Sequence, residues 1–448
     1  MKFIPNSPDA RTSMLKEIGA ASVEELFGSI PESVRLKELL RISPPVSEFS
    51  LMREMKKRSA DMPTDTISFL GAGSYRRYIP EAIGAIASRA EFLTCYTPYQ
   101  PELSQGSLQV MFEFQTLLSQ LTGMDVANAS MYEGATAAAE ALFMAQRVKK
   151  KRDRVLYSAA LHPEYIETLK TYTRHQDIEL AAIPLAENGQ TDLAAMEREL
   201  DDKTLCALLP TVNFYGVIED QKRQGELLTG SDVLFVSVVT EMSSLGLLTP
   251  PGAFGADIVV GEAQSLGLPV SYGGPNLGIF ACAQKYVRQM PGRLSGLTVD
   301  KRGNRAFCLT LSTREQHIRR EKATSNICSN QALCALWVTV YLALMGRQGL
   351  KRLAALNGSK TQYAIRQIKA IKGIDLRFAG AVYNEFAIET PLNSSDLLAG
   401  LRKRNILGGV PLSRFDAKDT KGVLVNVTEV NTKEEIDCLV NSLKEILR

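Results

Sequence analysis

The sequence predicts an α/β protein, with a large domain built on a mainly parallel sheet and a smaller α+β domain at the C-terminus. Short apolar runs recur at Val155–Ala159, Leu180–Leu185, Leu205–Val212, Val233–Val239, Asp257–Val260 and Gly278–Cys282, separated by polar stretches of helical length. Runs that are apolar on both faces, with such spacers between them, belong to a sheet covered on both sides. After Gly349 the rhythm changes to a helix (351–371), strands at 375–378 and 384–388, a helix (395–404), a strand near Val423–Val427 and a terminal helix. Asn431 and Thr432 followed by Glu434–Glu435 supply the polar cap that opens this last helix.

The chain is expected to begin with an arm. In residues 1–60, apolar positions at Met14, Leu15 and Ile18, then at Val23, Leu26 and Phe27, read as short helices broken by Pro31, Pro44 and Pro45. Such a segment is too small to bury a core of its own, so it is expected to pack on something else. The large domain, 61–346, contains a helix over Ser107–Leu121 with apolar Leu108, Met111, Phe112, Phe114, Leu117 and Leu118, closed by Gly123. An alanine-rich helix follows at Ala135–Val148. The leucine-rich stretch Asn330–Met345 predicts a long buried helix leaving this domain, and 347–448 forms the small domain.

Composition excludes several classes. Apolar residues at 45% and charged residues at 23% are an ordinary globular mixture, and a net charge of +3 gives no footprint for nucleic acid. The basic run Lys149–Arg152 reads as a solvated helix end. No apolar run reaches the roughly 18 residues that span a bilayer, and the N-terminus lacks the apolar stretch of a signal peptide. Seven scattered cysteines without Cys-x-x-Cys argue for free thiols in a reducing cytoplasm. Three distant histidines make a metal site improbable. A cytoplasmic protein free of metal, nucleic acid and membrane is the expectation.

Four segments carry groups suited to chemistry. Ser130–Ala137 puts a glycine and hydroxyls at a helix N-terminus, where backbone N–H groups and the helix dipole can seat an anion; a capped helix start is the plainer alternative. Ala263–Pro275 follows the strand at Asp257–Val260, and its glycines permit positive φ; it also reads as a tight structural turn. Tyr96–Gly106 concentrates two tyrosines, Gln100, Glu102 and two prolines in a stretch without helix or strand period, as a site does more often than a linker. Arg314–Asn326 is a charged cluster that reads either as a solvated face or as an anion-binding surface, with Thr324, Ser325 and Asn326 capping the apolar helix at Asn330.

In order along the chain stand Tyr-Thr-Pro-Tyr-Gln-Pro-Glu-x-Ser-Gln-Gly (96–106), Tyr-Glu-Gly-Ala-Thr (132–136) and Pro-Thr-Val-Asn-Phe-Tyr-Gly-Val-Ile-Glu-Asp (210–220). Gln-Ser-Leu-Gly-Leu-Pro (264–269) and Arg-Glu-Gln-His-Ile-Arg-Arg-Glu-Lys-Ala-Thr-Ser-Asn-Ile-Cys (314–328) follow. Together they resemble the glycine dehydrogenases of the aminomethyl-transferring kind, the P-proteins of the glycine cleavage system, and among these the α chains of the two-chain bacterial form. The resemblance runs from the first residues to Val427–Asp437. It implies the fold type I architecture of pyridoxal-phosphate transferases, with a seven-stranded large domain. It also implies glycine decarboxylation, release of carbon dioxide, and transfer of the aminomethyl group to the lipoyl group of H-protein.

In that family a lysine of the catalytic half forms the Schiff base with the cofactor. Here the matching position falls on Gln264 or Ser265, and no lysine lies between Lys222 and Lys285. Nor does Val233–Val239 contain the aspartate that pairs with the pyridine nitrogen; Glu241 is the nearest acid. The resemblance therefore implies a chain without a covalent cofactor of its own, working in an α2β2 assembly whose β subunit carries pyridoxal 5'-phosphate. Tyr96, Thr97, Tyr99, Gln100, Glu102, Ser104 and Gln105 are expected to line the partner's pocket or the interface. So are Arg314, His317, Arg319, Arg320 and Lys322, with Thr324, Ser325 and Asn326 reaching for the cofactor phosphate. The alternatives are an independent pyridoxal-phosphate enzyme, such as an aminotransferase, and a non-catalytic scaffold that keeps the fold.

Overall fold

The computed structural model describes residues 6–38, 40–63, 65–325, 327 and 331–448, and of His317 the backbone alone. The chain divides into two units, Met1–Thr64 and Asp65–Arg448. In the first, a helix over Pro8–Ile18 is capped by the Ser7 side chain, which accepts from the N–H of Ala10, and it ends at the left-handed Gly19. A second helix, Glu48–Ala60, is capped by Ser47. Neither helix buries a residue, and Met14, Ile18, Phe27, Phe49 and Met52 are all exposed.

The second unit is organised by a seven-stranded sheet. Its strands are β1 (Val126–Ala127), β2 (Arg154–Ser158), β3 (Glu179–Ile183), β4 (Thr204–Pro210), β5 (Leu234–Val239), β6 (Ile258–Glu262) and β7 (Gly278–Cys282). They lie in the order β1-β7-β6-β5-β4-β2-β3. The pairings from β3 through β6 are parallel, while β7 runs antiparallel to both β6 and β1. All six apolar runs singled out in the sequence are therefore strands, and the last of them reverses direction. Alternate residues supply opposite faces: Val236, Val238 and Val260 enter one core, and Phe235, Val239 and Val259 the other. The alanine-rich helix Gly134–Val148 covers the first face. The helices Gln105–Thr122 and Ala332–Lys369 cover the second.

Ala332–Lys369 combines the two helices expected at 330–345 and 351–371, and it breaks at Gly346, whose φ of 58° no helix accommodates. By length and composition it could cross a membrane. It is broken at that glycine, however, and buries Ala335, Val338 and Tyr341 in the large core and Ala364, Ile365 and Ile368 in the smaller one. Its start corrects the expected Thr-Ser-Asn cap. Gln331 occupies the N-cap without a side-chain bond and donates its N–H to Ser130 Oγ at 3.1 Å. Ser325 Oγ instead accepts from the N–H of Ile327, and Asn326 lies outside the described residues.

The C-terminal part carries a four-stranded antiparallel sheet in the order 375–376, 385–389, 422–426, 410–411. The terminal helix Lys433–Ile446 opens on the expected capping box between Thr432 and Glu435. Ile67–Ser68 pairs with Ile406–Leu407, and Phe69 is buried in the same core, so the chain enters this layer before it enters the large sheet. The basic run is less solvated than expected. Lys149 and Arg152 both pair with Asp232, and their side chains are only 17% and 19% exposed.

One buried ion cluster joins the two sheets. The side chain of Arg77 is wholly buried and pairs with Glu241, just past β5, and with Glu429 at 2.8 Å, just past the 422–426 strand. Asn384 Nδ2 and Ser243 Oγ also donate to Glu241, at 2.9 and 2.7 Å. Removing one member of a buried pair leaves its partner uncompensated. Arg77→Met is expected to lower stability by about 3–5 kcal/mol, read from urea unfolding; a loss under about 1 kcal/mol would show that this cluster does not hold the layers together.

Candidate functional site

The loop after β6 carries Gln264 and Ser265, where the resemblance in sequence leads one to expect the cofactor lysine. Gln264 is buried, and its amide pairs with the backbone of Tyr75: Oε1 accepts from the N–H at 2.9 Å and Nε2 donates to the carbonyl at 3.0 Å. Nε2 also donates to the carbonyl of Leu268 at 2.8 Å. A lysine cannot make both halves of that pairing, because the ammonium has no acceptor. Ser265 is buried too. The glycine-rich loop beyond holds Ser271, Tyr272, Gly273 and Gly274 at positive φ, and the Tyr272 side chain is fully exposed.

The expected anion seat at the N-terminus of Gly134–Val148 is filled by the chain's own carboxylates. Glu133 is the N-cap, and both its oxygens accept from the N–H of Thr136, at 2.9 and 3.2 Å. Glu262, at the end of β6, accepts from Gly134 N–H at 3.1 Å with Oε2, and from Gln264 and Leu277 N–H at 2.9 Å with Oε1. Burial pushes the Glu262 carboxyl up to about 7 against the pull of these donors. Gly134 is required here: a Cβ would lie 1.9 Å from the Tyr165 hydroxyl.

The remaining polar groups around this position are also engaged. Glu241 is held by Arg77 and points to no open space. His162 Nδ1 accepts from the N–H of Glu164, which fixes Nε2 as the donor to the carbonyl of Ala72 at 3.0 Å; burial lowers its pKa and keeps the ring neutral. Glu385 accepts from Ala72 N–H at 2.6 Å and from the Tyr75 hydroxyl at 2.7 Å, and burial pushes it up to about 7. These residues do not fit pyridoxal phosphate. The imine-forming amine is missing, the phosphate's helix terminus carries two carboxylates, and the nearest acid is bound to an arginine.

Two of the four segments singled out in the sequence, Tyr96–Gly106 and the one that starts at Arg314, come together elsewhere. An antiparallel hairpin, Leu294–Val299 with Arg305–Thr310, lies between them. Gln105 grips it as a strand would: Oε1 accepts from Phe307 N–H and Nε2 donates to the Phe307 carbonyl, both at 2.9 Å. Gln115 does the same with Ser295, at 2.8 and 3.0 Å. Arg293 enters the hairpin, donating to the Tyr99 hydroxyl at 3.0 Å and to Glu315 at 3.3 Å. Arg314 is turned inward, donating to the carbonyls of Met290 and of Gly292, the latter at 3.1 Å.

Of the expected site residues, Tyr96, Tyr99, Gln100 and Glu102 are exposed, and Thr97 and Ser104 are half-buried. The proline-braced stretch has no helix or strand over 95–100, where the Tyr99 N–H donates to the Thr97 carbonyl at 2.9 Å, and it turns at 101–103. Gln105 and Arg314 are engaged in holding the hairpin and the 290–293 segment. Arg319, Arg320 and Lys322 are exposed, Thr324 and Ser325 are half-buried, and the His317 side chain lies outside the described residues. Sequence reasoning missed Arg293, Gln115 and the hairpin, although Asp300–Asn304 between alternating runs is a hairpin signal. It also missed Tyr75, Arg77, Glu262 and Glu385, each of which has a partner more than a hundred residues away.

The glycine cleavage system P-protein family model matches residues 1–443. A probable glycine dehydrogenase (decarboxylating) subunit 1 of Solibacter usitatus is 47% identical over 445 residues, covering 98% of this chain and 96% of that protein. One from Desulfitobacterium hafniense is 46% identical over the whole of both chains. A crystal structure of glycine decarboxylase (P-protein) of the glycine cleavage system, in inhibitor-bound form, superposes with a TM-score of 0.88 at 38% identity over the whole of both chains. A NifS-like protein, 13% identical with a TM-score of 0.64 over 85% of this chain and 99% of that one, shares the fold.

Two expectations follow from the closed position. Gln264→Lys should lower stability by roughly 2–4 kcal/mol, since the Tyr75 backbone loses its partners, and should give no borohydride-trapped pyridoxal adduct at residue 264. A stoichiometric adduct there, found by peptide mass mapping, would overturn the description of this position as closed. The second concerns pH. The folded Glu385 carboxyl binds its proton more tightly than its ordinary value of 4.5 allows, so the stability it contributes is complete below that pH and is lost as pH rises to about 7. Glu385→Gln removes this dependence. The variant should gain on the natural chain by roughly 3 kcal/mol between these limits, whereas a difference constant from pH 5 to 8 in urea unfolding would refute it.

Proposed function

The chain belongs to the glycine cleavage system P-protein family, and on that premise we propose that it is the α subunit of a two-chain glycine decarboxylase. In this reading it works only with a β subunit, as an α2β2 assembly in the cytoplasm. The partner bears the lysine and the pyridoxal phosphate, and the pair decarboxylates glycine and passes the aminomethyl group to lipoylated H-protein. The division into layers at 61–346 and 347–448, with the break at Gly346 between them, is part of the same reading.

One contrast supports it above all: the position matching the cofactor lysine is closed by Gln264 and Glu262, while the most distinctive motifs lie together on an exposed face. A chain working alone, as an aminotransferase does, would need the reverse. On that face Tyr96, Tyr99, Gln100 and Glu102 offer directed hydrogen bonds from a proline-braced loop. Arg319, Arg320 and Lys322 offer positive charge to carboxylate and phosphate groups. Thr324 and Ser325 lie on the same segment. A scaffold that lines no active site would have no need of this chemistry, and the test separates the two readings.

Co-expression with a partner chain carrying the lysine, followed by a glycine–bicarbonate exchange assay, should give activity that neither chain has alone. Tyr99→Ala or Glu102→Ala should then cut exchange by about 100- to 1000-fold, as loss of one directed transition-state donor typically does at roughly 2–4 kcal/mol, with the size-exclusion profile unchanged. Normal exchange by both variants in an intact assembly would mark the loop as structural and favour the scaffold.

A further inference from the structure

We propose that Arg293 is a positioning residue for the reaction, acting through the Tyr99 hydroxyl, which it fixes while also pairing with Glu315 of the neighbouring segment. The proposal rests on reading the tyrosine loop as part of the partner's site. Arg293 is buried, with 3% of its side chain exposed, whereas Tyr99 in front of it is 51% exposed. Its guanidinium carbon stands 5.3 Å from the Tyr99 ring centroid, and Nη2 donates to the phenol oxygen at 3.0 Å. Nε donates to Glu315 at 3.3 Å, in the segment that carries Arg319, Arg320 and Lys322. One planar fork thus touches both exposed motifs from behind.

The fork is itself held on several sides. Ala129 N–H donates to the Arg293 carbonyl at 2.9 Å, and Asn128 Nδ2 donates to the Pro291 carbonyl at 3.0 Å. Gly292 sits at φ 76°, where a Cβ would come within 2.6 Å of Asn128. Arg314 takes the carbonyls of Met290 and Gly292. The backbone that carries the guanidinium is therefore fixed to the large sheet, and through it the exposed tyrosine. Because arginine has no acceptor, the bond from Arg293 occupies a lone pair of the Tyr99 oxygen and orients its O–H away from the guanidinium. A lysine keeps the charge but has no planar fork to span both partners.

A double-mutant cycle in the reconstituted pair tests this. Arg293→Lys and Arg293→Gln should each lower kcat for glycine–bicarbonate exchange about 10- to 100-fold while KM for glycine stays within about twofold. In a Tyr99→Phe background, which is itself impaired, the same changes should cost less than about threefold more. The Lys variant, with circular dichroism and size-exclusion profiles, guards against misfolding of the Gln variant. An impaired Tyr99→Phe with fully additive Arg293 effects would overturn the positioning role and leave the tyrosine reading standing. So would a change in KM alone. A fully active Tyr99→Phe would overturn both.

Discussion

The structure turns on a guanidinium sealed from water. Arg77 lies between the carboxylates of Glu241 and Glu429, one beyond the large sheet and one beyond the small. Two carboxylates against one cation leave an excess negative charge in a place without solvent to screen it. Glu385, close to this group through Tyr75, would add a third carboxylate, and burial raises its pKa instead. The Tyr75 hydroxyl and the Ala72 N–H hold it in place, and Gly216 lets its backbone pass where a Cβ would fall 1.9 Å from the Glu385 carbonyl oxygen. Proteins built of two packed bodies often close around ligands by hinging between them. A cluster of this kind works against such hinging, because opening the layers would strand buried charge.

The same cluster explains why the retained acid cannot act on a ligand. Glu241 is the nearest carboxylate to β5, yet Arg77, Asn384 and Ser243 take up its oxygens. The helix N-terminus at Gly134 likewise presents N–H donors to Glu262 and Glu133. Groups suited to binding an anion have become the anchors of a polar core. At the surface, the hairpin 294–310 acts as a mount for two of the sequence motifs. Gln105 and Gln115 pair with it edge to edge, and Arg293 connects it to the two exposed motifs.

Much of the fold was legible because its signals are local. Apolar runs of strand length gave all six long strands, and Gly123 and the Thr432–Glu435 capping box closed and opened helices where expected. The two-residue β1 leaves no periodic trace, and no pattern in Gly278–Cys282 betrays that it runs antiparallel. The site was legible as motifs and not as geometry. Tyr99 and Glu102 stand out by composition, but Gln105 and Arg314 look alike in sequence to groups that face solvent, and in space both turn to backbone carbonyls. Arg77, Glu262 and Glu385 were invisible because a buried charge is recognised by its partner, and the partners come from distant parts of the chain.

Gln264 imposes a direction on the history open to this chain. Its amide completes the backbone pairing of Tyr75, which itself carries the Glu385 contact, and the loop it belongs to is anchored by Glu262. Recovering an amine at 264 would first require a new partner for the Tyr75 peptide, and recovering an anion site would require Glu262 to leave three N–H groups together. Each step alone is unfavourable, and their benefit arrives only when all are made. The closed position at 264 therefore behaves as a ratchet: on the reading proposed above, substitution can deepen a dependence on a second chain far more readily than it can undo it.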